Sequence, residues 1–168
     1  MTGKEIVARA EQLKGYKYWY GGKRELATVA LANRLRKENP SVWDDAYYNK
    51  AMQDVINGKR VCDCSGLVCY AYGISDIGSY AIRDKYKVWN GKPKVGMIAW
   101  KKGHVGIIKD NQGHMIEMRG IDYDYCDTRY RKVAGCMTLL YDPNVNYDDV
   151  TESKKCPYGY CEHCEYMK

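Results

Sequence analysis

Apolar positions recur at helical spacing in the first half of the chain and as short strand-like runs in the second. Ile6, Ala10 and Leu13 share one helical face behind Thr2-x-x-Glu5, a capping box, and Gly15 stops this first helix. Tyr16-Lys17-Tyr18-Trp19-Tyr20-Gly21-Gly22 is aromatic and ends in a glycine pair, which reads as an extended piece and a tight turn. Residues 25–38 have helical spacing through Leu26, Val29, Leu31 and Leu35 and end at Asn39-Pro40. Ser41-x-x-Asp44 opens another helix that runs to Asn57-Gly58. A short helix follows Asp63, with Leu67, Val68 and Ala71 inward and Gly73 at its end.

From Val95 the period changes. Val95–Trp100, His104–Lys109, Met115–Met118 and Met137–Tyr141 are rich in strand formers. Lys-Lys-Gly, Asn-Gln-Gly and a long polar loop separate them. Helices first and antiparallel strands after is an α+β layout, with N-terminal helices packed on a small antiparallel sheet. Residues 142–155 are polar and nearly without core positions, so 142–168 reads as a linker and a Cys-rich tail behind a body of residues 1–141.

The length, 168 residues, fits one domain with a real hydrophobic core. The net charge of +6 is uneven: residues 142–168 carry six acids and three lysines, a net −3, which leaves +9 on the body. A basic body favours polyanions such as cell-wall polymers. No cluster of Arg and Lys interleaved with aromatics argues for nucleic acid. The aromatics are 17 Tyr and 4 Trp with no Phe, and such rings suit the walls of a polar pocket as well as a core. No apolar run approaches the ~18–20 residues of a membrane span. The N-terminus lacks the apolar region of a signal peptide. The expectation is a chain made in the cytoplasm, or one whose leader has been removed. In a reducing compartment the eight cysteines do not read as four disulfides.

Candidate chemistry begins at Val61-Cys62-Asp63-Cys64-Ser65-Gly66-Leu67-Val68. Asp63 is a good N-cap, which puts Cys64 in the first turn of a helix, where unpaired N–H groups and the positive helix end favour a thiolate. Ser65 and Gly66 are small and let a substrate approach. The same pattern also suits a buried cysteine acting as a small hydrophobe. A thiol nucleophile needs a base, and the base needs an orienting partner. The histidines are His104, His114 and His163, and His104 opens the strand Gly103-His104-Val105-Gly106-Ile107-Ile108. An even-length Asn111-Gln112 loop pairs position 110 with 113 and 106 with 117. His104, Gly106, Glu117 and Arg119 then share a face, with Glu117 diagonal to His104. His114 falls on the opposite face from Glu117.

Asp63-Cys64-Ser65-Gly66-Leu67-Val68 and Gly103-His104-Val105-Gly106-Ile107 resemble the two signatures of the NlpC/P60 family of cell-wall cysteine peptidases. Gly15-Tyr16-Lys17-Tyr18-Trp19-Tyr20-Gly21-Gly22 looks like the family's aromatic-Gly-Gly element, with Tyr18 at its tyrosine. The resemblance covers about residues 4–141 and is nearest to members from phages of Gram-positive bacteria, the endolysin-like form. It implies a papain-like fold and hydrolysis of the peptidoglycan stem peptide, typically after D-glutamate. It also implies Cys64 as nucleophile, His104 as general base, Glu117 at a third position that is often His, and Tyr18 at the substrate and oxyanion site with Ser65. Acyl transfer through Cys64 needs no metal. The segment between Gly22 and Asp63 is long for the family, so 23–60 reads as a helical insertion in the catalytic domain.

Cys156-Pro157-Tyr158-Gly159-Tyr160-Cys161-Glu162-His163-Cys164 holds three thiols and an imidazole. Cys161-x-x-Cys164 has zinc-knuckle spacing, with Cys156 as a third ligand and Cys126 or Cys136 as a fourth. A structural zinc, a disulfide formed after export and free thiols all fit this tail. The leading expectation is a monomeric peptidoglycan endopeptidase acting at the bacterial cell wall. Its alternatives are a CHAP-like N-acetylmuramoyl-L-alanine amidase and a non-catalytic zinc-binding or adaptor protein.

Overall fold

The computed structural model describes residues 1–110, 114–129 and 137–147. In chain order the elements are α1 (Gly3–Glu11), β1 (Lys17–Tyr18), β2 (Lys23–Leu26), α2 (Val29–Glu38), α3 (Asp45–Ile56), β3 (Arg60–Cys62) and α4 (Cys64–Tyr72). Then follow α5 (Ser79–Lys85), β4 (Lys87–Trp89), β5 (Ile98–Lys101), β6 (His104–Ile108), β7 (His114–Met118), β8 (Tyr125–Arg129) and β9 (Thr138–Tyr141). A three-stranded sheet runs β1-β3-β2, and a six-stranded one runs β4-β9-β5-β6-β7-β8, its neighbours all antiparallel.

Local chemistry sets the helix ends. The Thr2 hydroxyl accepts from the Glu5 N–H while the Glu5 carboxylate accepts from the Thr2 N–H, the reciprocal box expected from Thr2-x-x-Glu5. Asp63 caps α4, and Gly73, in the left-handed region at φ 67°, ends it. Eight of the nine residues of α4 are buried, so this helix is the middle of the core rather than an amphipathic surface element. Ile6, Ala10, Leu67, Val68 and Ala71 meet Ile98, Val105, Ile107, Ile116 and Met118 in the main core. The strand residues between these, Met97, Ala99, Ile108 and Met115, form a separate cluster with Leu139, as a period of two requires.

Where α1 crosses the start of β5, backbone meets backbone. A Cβ on Gly3 would lie 1.9 Å from the Val95 carbonyl oxygen, and Gly96, at φ 87°, touches Gly3 from the other side. Gly3→Ala is therefore expected to cost ~1–3 kcal/mol of stability, read as a lower urea midpoint at unchanged slope.

Three expectations from the sequence need correction. The helix expected over 25–38 starts at Val29, because Thr28 caps it and residues 23–26 pair with β3 instead; Leu26 and Val29 are exposed. The next helix is capped by Asp44, not opened at Ser41. The polar loop between Met118 and Met137 contains β8, which pairs with β7 along its whole length. The body also continues beyond Tyr141. Val145 is buried, Asn146 bridges to Thr2, and the Tyr147 hydroxyl lies 3.2 Å from that of Tyr72. Cys136 and the tail cysteines Cys156, Cys161 and Cys164 lie outside the described residues, as does His163. Of Cys126, only its backbone place in β8 is described.

The segment between Gly22 and Arg60 has its own core. Trp19 and Trp43 meet edge-to-face at 5.2 Å and pack with Leu31, Ala32, Leu35, Ala51 and Val61. The Trp43 indole N–H donates to the Tyr20 carbonyl, the Tyr20 N–H donates to the Tyr47 hydroxyl, and the Trp19 indole donates to Asp54. These bonds fasten α3 and the residue before its cap to the aromatic turn that follows β1. Among the described residues no helix is long and apolar enough to cross a membrane.

Candidate active site

Cys64 is the first residue of α4, directly after the Asp63 cap. The Asp63 carboxylate accepts from the Gly66 N–H at 2.6 Å and from the Ser65 hydroxyl at 2.9 Å. Helix geometry gives the first amides no acceptor inside the helix. With the Gly66 amide held by Asp63, the N–H groups of Cys64 and Ser65 stand at the helix start beside the thiol. Cys64 keeps 7% of its surface exposed, whereas Cys62 and Cys69 keep none.

His104 opens β6, and Glu117 sits in β7. The register Ile107↔Ile116 and Ile108↔Met115 continues to Gly106 opposite Glu117, the parity expected from an even loop. The His104 Nε2 lies 2.5 Å from a Glu117 carboxylate oxygen. Its other ring nitrogen is then left to face the Cys64 thiol, which lies near enough to act on the charge of this imidazole. Gly106 keeps the diagonal open. A Cβ there would lie 2.9 Å from the Ile116 carbonyl and 3.3 Å from the Glu117 Cβ. Burial works against protonation of His104, but the neighbouring Cys64 and Glu117 outweigh it and push its pKa up from 6.5 to about 9. At neutral pH the imidazole is therefore largely protonated.

Tyr18 is in β1, beside Cys62 in the parallel pairing with β3. Burial and then the nearby Cys64 raise its hydroxyl pKa, so the phenol stays protonated and able to donate. Its backbone N–H donates to Asp124, whose other oxygen accepts from Lys17 at 2.6 Å. Asp124 stands at φ 50° in the turn between β7 and β8, so it ties the strand pair that carries Glu117 to the strand that carries Tyr18. Sequence reasoning passed over Asp124; an Asp before a strand in a polar loop gives no signal of such a role.

The Ser65 hydroxyl does not face open space. It donates to Asp63 and accepts from the Lys23 ammonium at 2.7 Å, and the residue is buried. What Ser65 offers an incoming group is its backbone N–H. Burial, and after it the neighbouring Asp63, push the Cys62 thiol up to about 12, and its S–H donates to the Asp63 carbonyl. Cys62 is thus a buried thiol. Cys69 is likewise buried, with its sulfur against the Ile77 backbone. His114 bonds Asp110 at 2.8 Å.

These residues bring a thiol, an imidazole and a carboxylate together, with two helix-start amides beside the thiol and the Tyr18 strand paired to the residues just before it. The framework under them is the mixed α+β, papain-like fold of NlpC/P60 proteins. One solved structure similar to it is that of NlpC1 from Trichomonas vaginalis, at a TM-score of 0.53 and 15% sequence identity. That match covers 82% of this chain and 42% of the other, so the chain spans less than half of that protein's length. No family model matches the sequence, and no curated protein matches it.

Proposed function

We propose that this chain is an NlpC/P60 cysteine peptidase that cleaves the stem peptide of bacterial peptidoglycan on the carboxyl side of D-glutamate. The observation that carries the proposal is the series Cys64–His104–Glu117 at the buried start of α4. The fold shared with an NlpC protein and the three sequence signatures support the family and the substrate class.

In this reading the Cys64 thiolate attacks the scissile carbonyl. The carbonyl oxygen, as it gains charge, is met by the Cys64 and Ser65 N–H groups and by the Tyr18 hydroxyl. Protonated His104 gives its proton to the leaving amine, and the acyl group stays on sulfur. Neutral His104 then takes a proton from water, whose oxygen attacks the thioester; the C–S bond breaks, the acyl group leaves as the carboxylic acid, and the thiolate–imidazolium pair is restored. Glu117 holds the ring through Nε2 in both steps, so the nitrogen facing sulfur is the one that moves the proton.

The test is digestion of purified Gram-positive peptidoglycan followed by mass spectrometry of the soluble fragments. The expected products end in D-glutamate on one side and begin with the diamino acid on the other. Glycan stripped of whole stem peptides that begin with L-alanine would instead assign a CHAP-like amidase, and no release from walls of several types would overturn the hydrolase reading.

A further inference from the structure

We infer that Lys23 is a positioning residue for the nucleophile, a cation built across the first turn of α4 to hold Asp63 and Ser65 in place. The inference deepens the peptidase reading and rests on it for the role of Cys64.

Lys23 starts β2, and the antiparallel register sets it opposite Cys62, two residues before the nucleophile. Its ammonium lies 2.6 Å from each Asp63 oxygen and 2.7 Å from the Ser65 hydroxyl. An ammonium has three N–H donors, and three acceptors surround this one, so none is left over for a substrate. That separates Lys23 from a substrate-binding cation at the cleft. Its stem passes over Gly66, where an added Cβ would meet the Lys23 Cδ at 3.2 Å and the Asp63 carboxylate at 3.2 Å.

The neighbouring Arg24 grips the same turn. Its guanidinium donates to the Gly66 carbonyl at 2.9 Å and forks onto both oxygens of Asp76. To reach there its backbone sits at φ 73°, a left-handed conformation that arginine rarely adopts. Two consecutive cations therefore hold α4 by its cap, its second residue and its third carbonyl. Asp63 in turn orders the Gly66 N–H, which leaves the Cys64 and Ser65 amides free. Without Lys23 the Asp63 carboxylate, buried beside the sulfur, would lose its counter-charge and be drawn toward water. The turn that aims Cys64 at His104 would go with it.

The test is the rate at which iodoacetamide alkylates Cys64, read by mass spectrometry on the Cys64 peptide so that other cysteines do not contribute. Lys23→Met is expected to slow this labelling by about tenfold or more, since a small misplacement of a reacting group is costly. On peptidoglycan it should lower kcat with KM nearly unchanged. Lys23→Arg, which keeps the charge, should recover most of the labelling rate. In an Asp63→Asn background Lys23→Met should add little, because the lysine acts through that carboxylate. Lys23→Gln, which keeps an N–H donor, serves if the methionine variant does not fold. Labelling at the wild-type rate in Lys23→Met and Lys23→Gln would overturn the inference, as would an undiminished effect in the Asp63→Asn background. Alkylation needs no substrate, so a protein inert on cell walls would sink the peptidase reading while leaving the Lys23 result to stand or fall separately.

Discussion

Cys64→Ala should abolish release of stem-peptide fragments, lowering kcat by ~10⁴-fold or more, the scale at which removing a nucleophile leaves only binding and oxyanion contacts. The thiol is 7% exposed at the first residue of α4, so alanine removes one sulfur atom and disturbs little else. The folded state should therefore survive, which unfolding by urea will check. Cys62→Ala is the matched control. Its thiol is fully buried, pushed up to about 12, and held by the Asp63 carbonyl, so its loss should leave catalysis within a few fold and cost a little stability. Activity that persists in Cys64→Ala and disappears in Cys62→Ala would reverse the assignment.

Glu117→Ala should lower kcat/KM by ~10³-fold, in line with losing the carboxylate partner of a catalytic histidine. Glu117 is 6% exposed and bonds the His104 Nε2, so alanine leaves the ring free to turn. Glu117→Gln separates orientation from charge. Its side-chain carbonyl can still accept from Nε2, so much of the rate should remain, but the charge that helps hold the His104 pKa near 9 is gone. If the reactive state needs imidazolium, activity falls as pH rises through about 9 in the wild type. In Glu117→Gln this basic limb should move toward lower pH. The sign for stability follows from the same shift. A histidine whose folded pKa exceeds its unfolded value contributes fully below pH 6.5, and the contribution is lost as pH rises through about 9. Wild type should thus lose more stability than Glu117→Gln between pH 6 and pH 9.5. A basic limb that stays in place in Glu117→Gln would show that the carboxylate does not tune the base.

The site was legible in the sequence to the extent that it depends on local rules. Asp63 as cap and Gly73 as stop frame α4 through side-chain and left-handed backbone chemistry that operates within a few residues. Those rules put Cys64 at a helix start. Strand parity through the 111–112 loop put His104 and Glu117 on one face because a period of two is a property of the extended chain itself. The same rules misread residues 25–28, the start of the helix expected over 25–38. Leu26 fits the helical spacing of Val29, Leu31 and Leu35, yet pairing with β3, a segment more than thirty residues away, wins over local preference. The β8 strand was missed for a like reason: its sequence is polar, and the bonds it makes to β7 supply what its composition does not.

By itself, then, the sequence determined the α+β class, the helix that begins at Cys64, and the strand register that brings Glu117 to His104. Each of these follows from interactions between near neighbours along the chain or from a short hairpin. Only the tertiary structure decided that the imidazole of His104 reaches the Cys64 thiol and that Asp124 joins the Glu117 strands to Tyr18. It also decided that the Ser65 hydroxyl is committed to Asp63 and Lys23, and that two tryptophans fasten α2 and α3 beside the site. These contacts join residues far apart in sequence, and their partners are chosen by how whole elements pack, which no periodicity in the chain records.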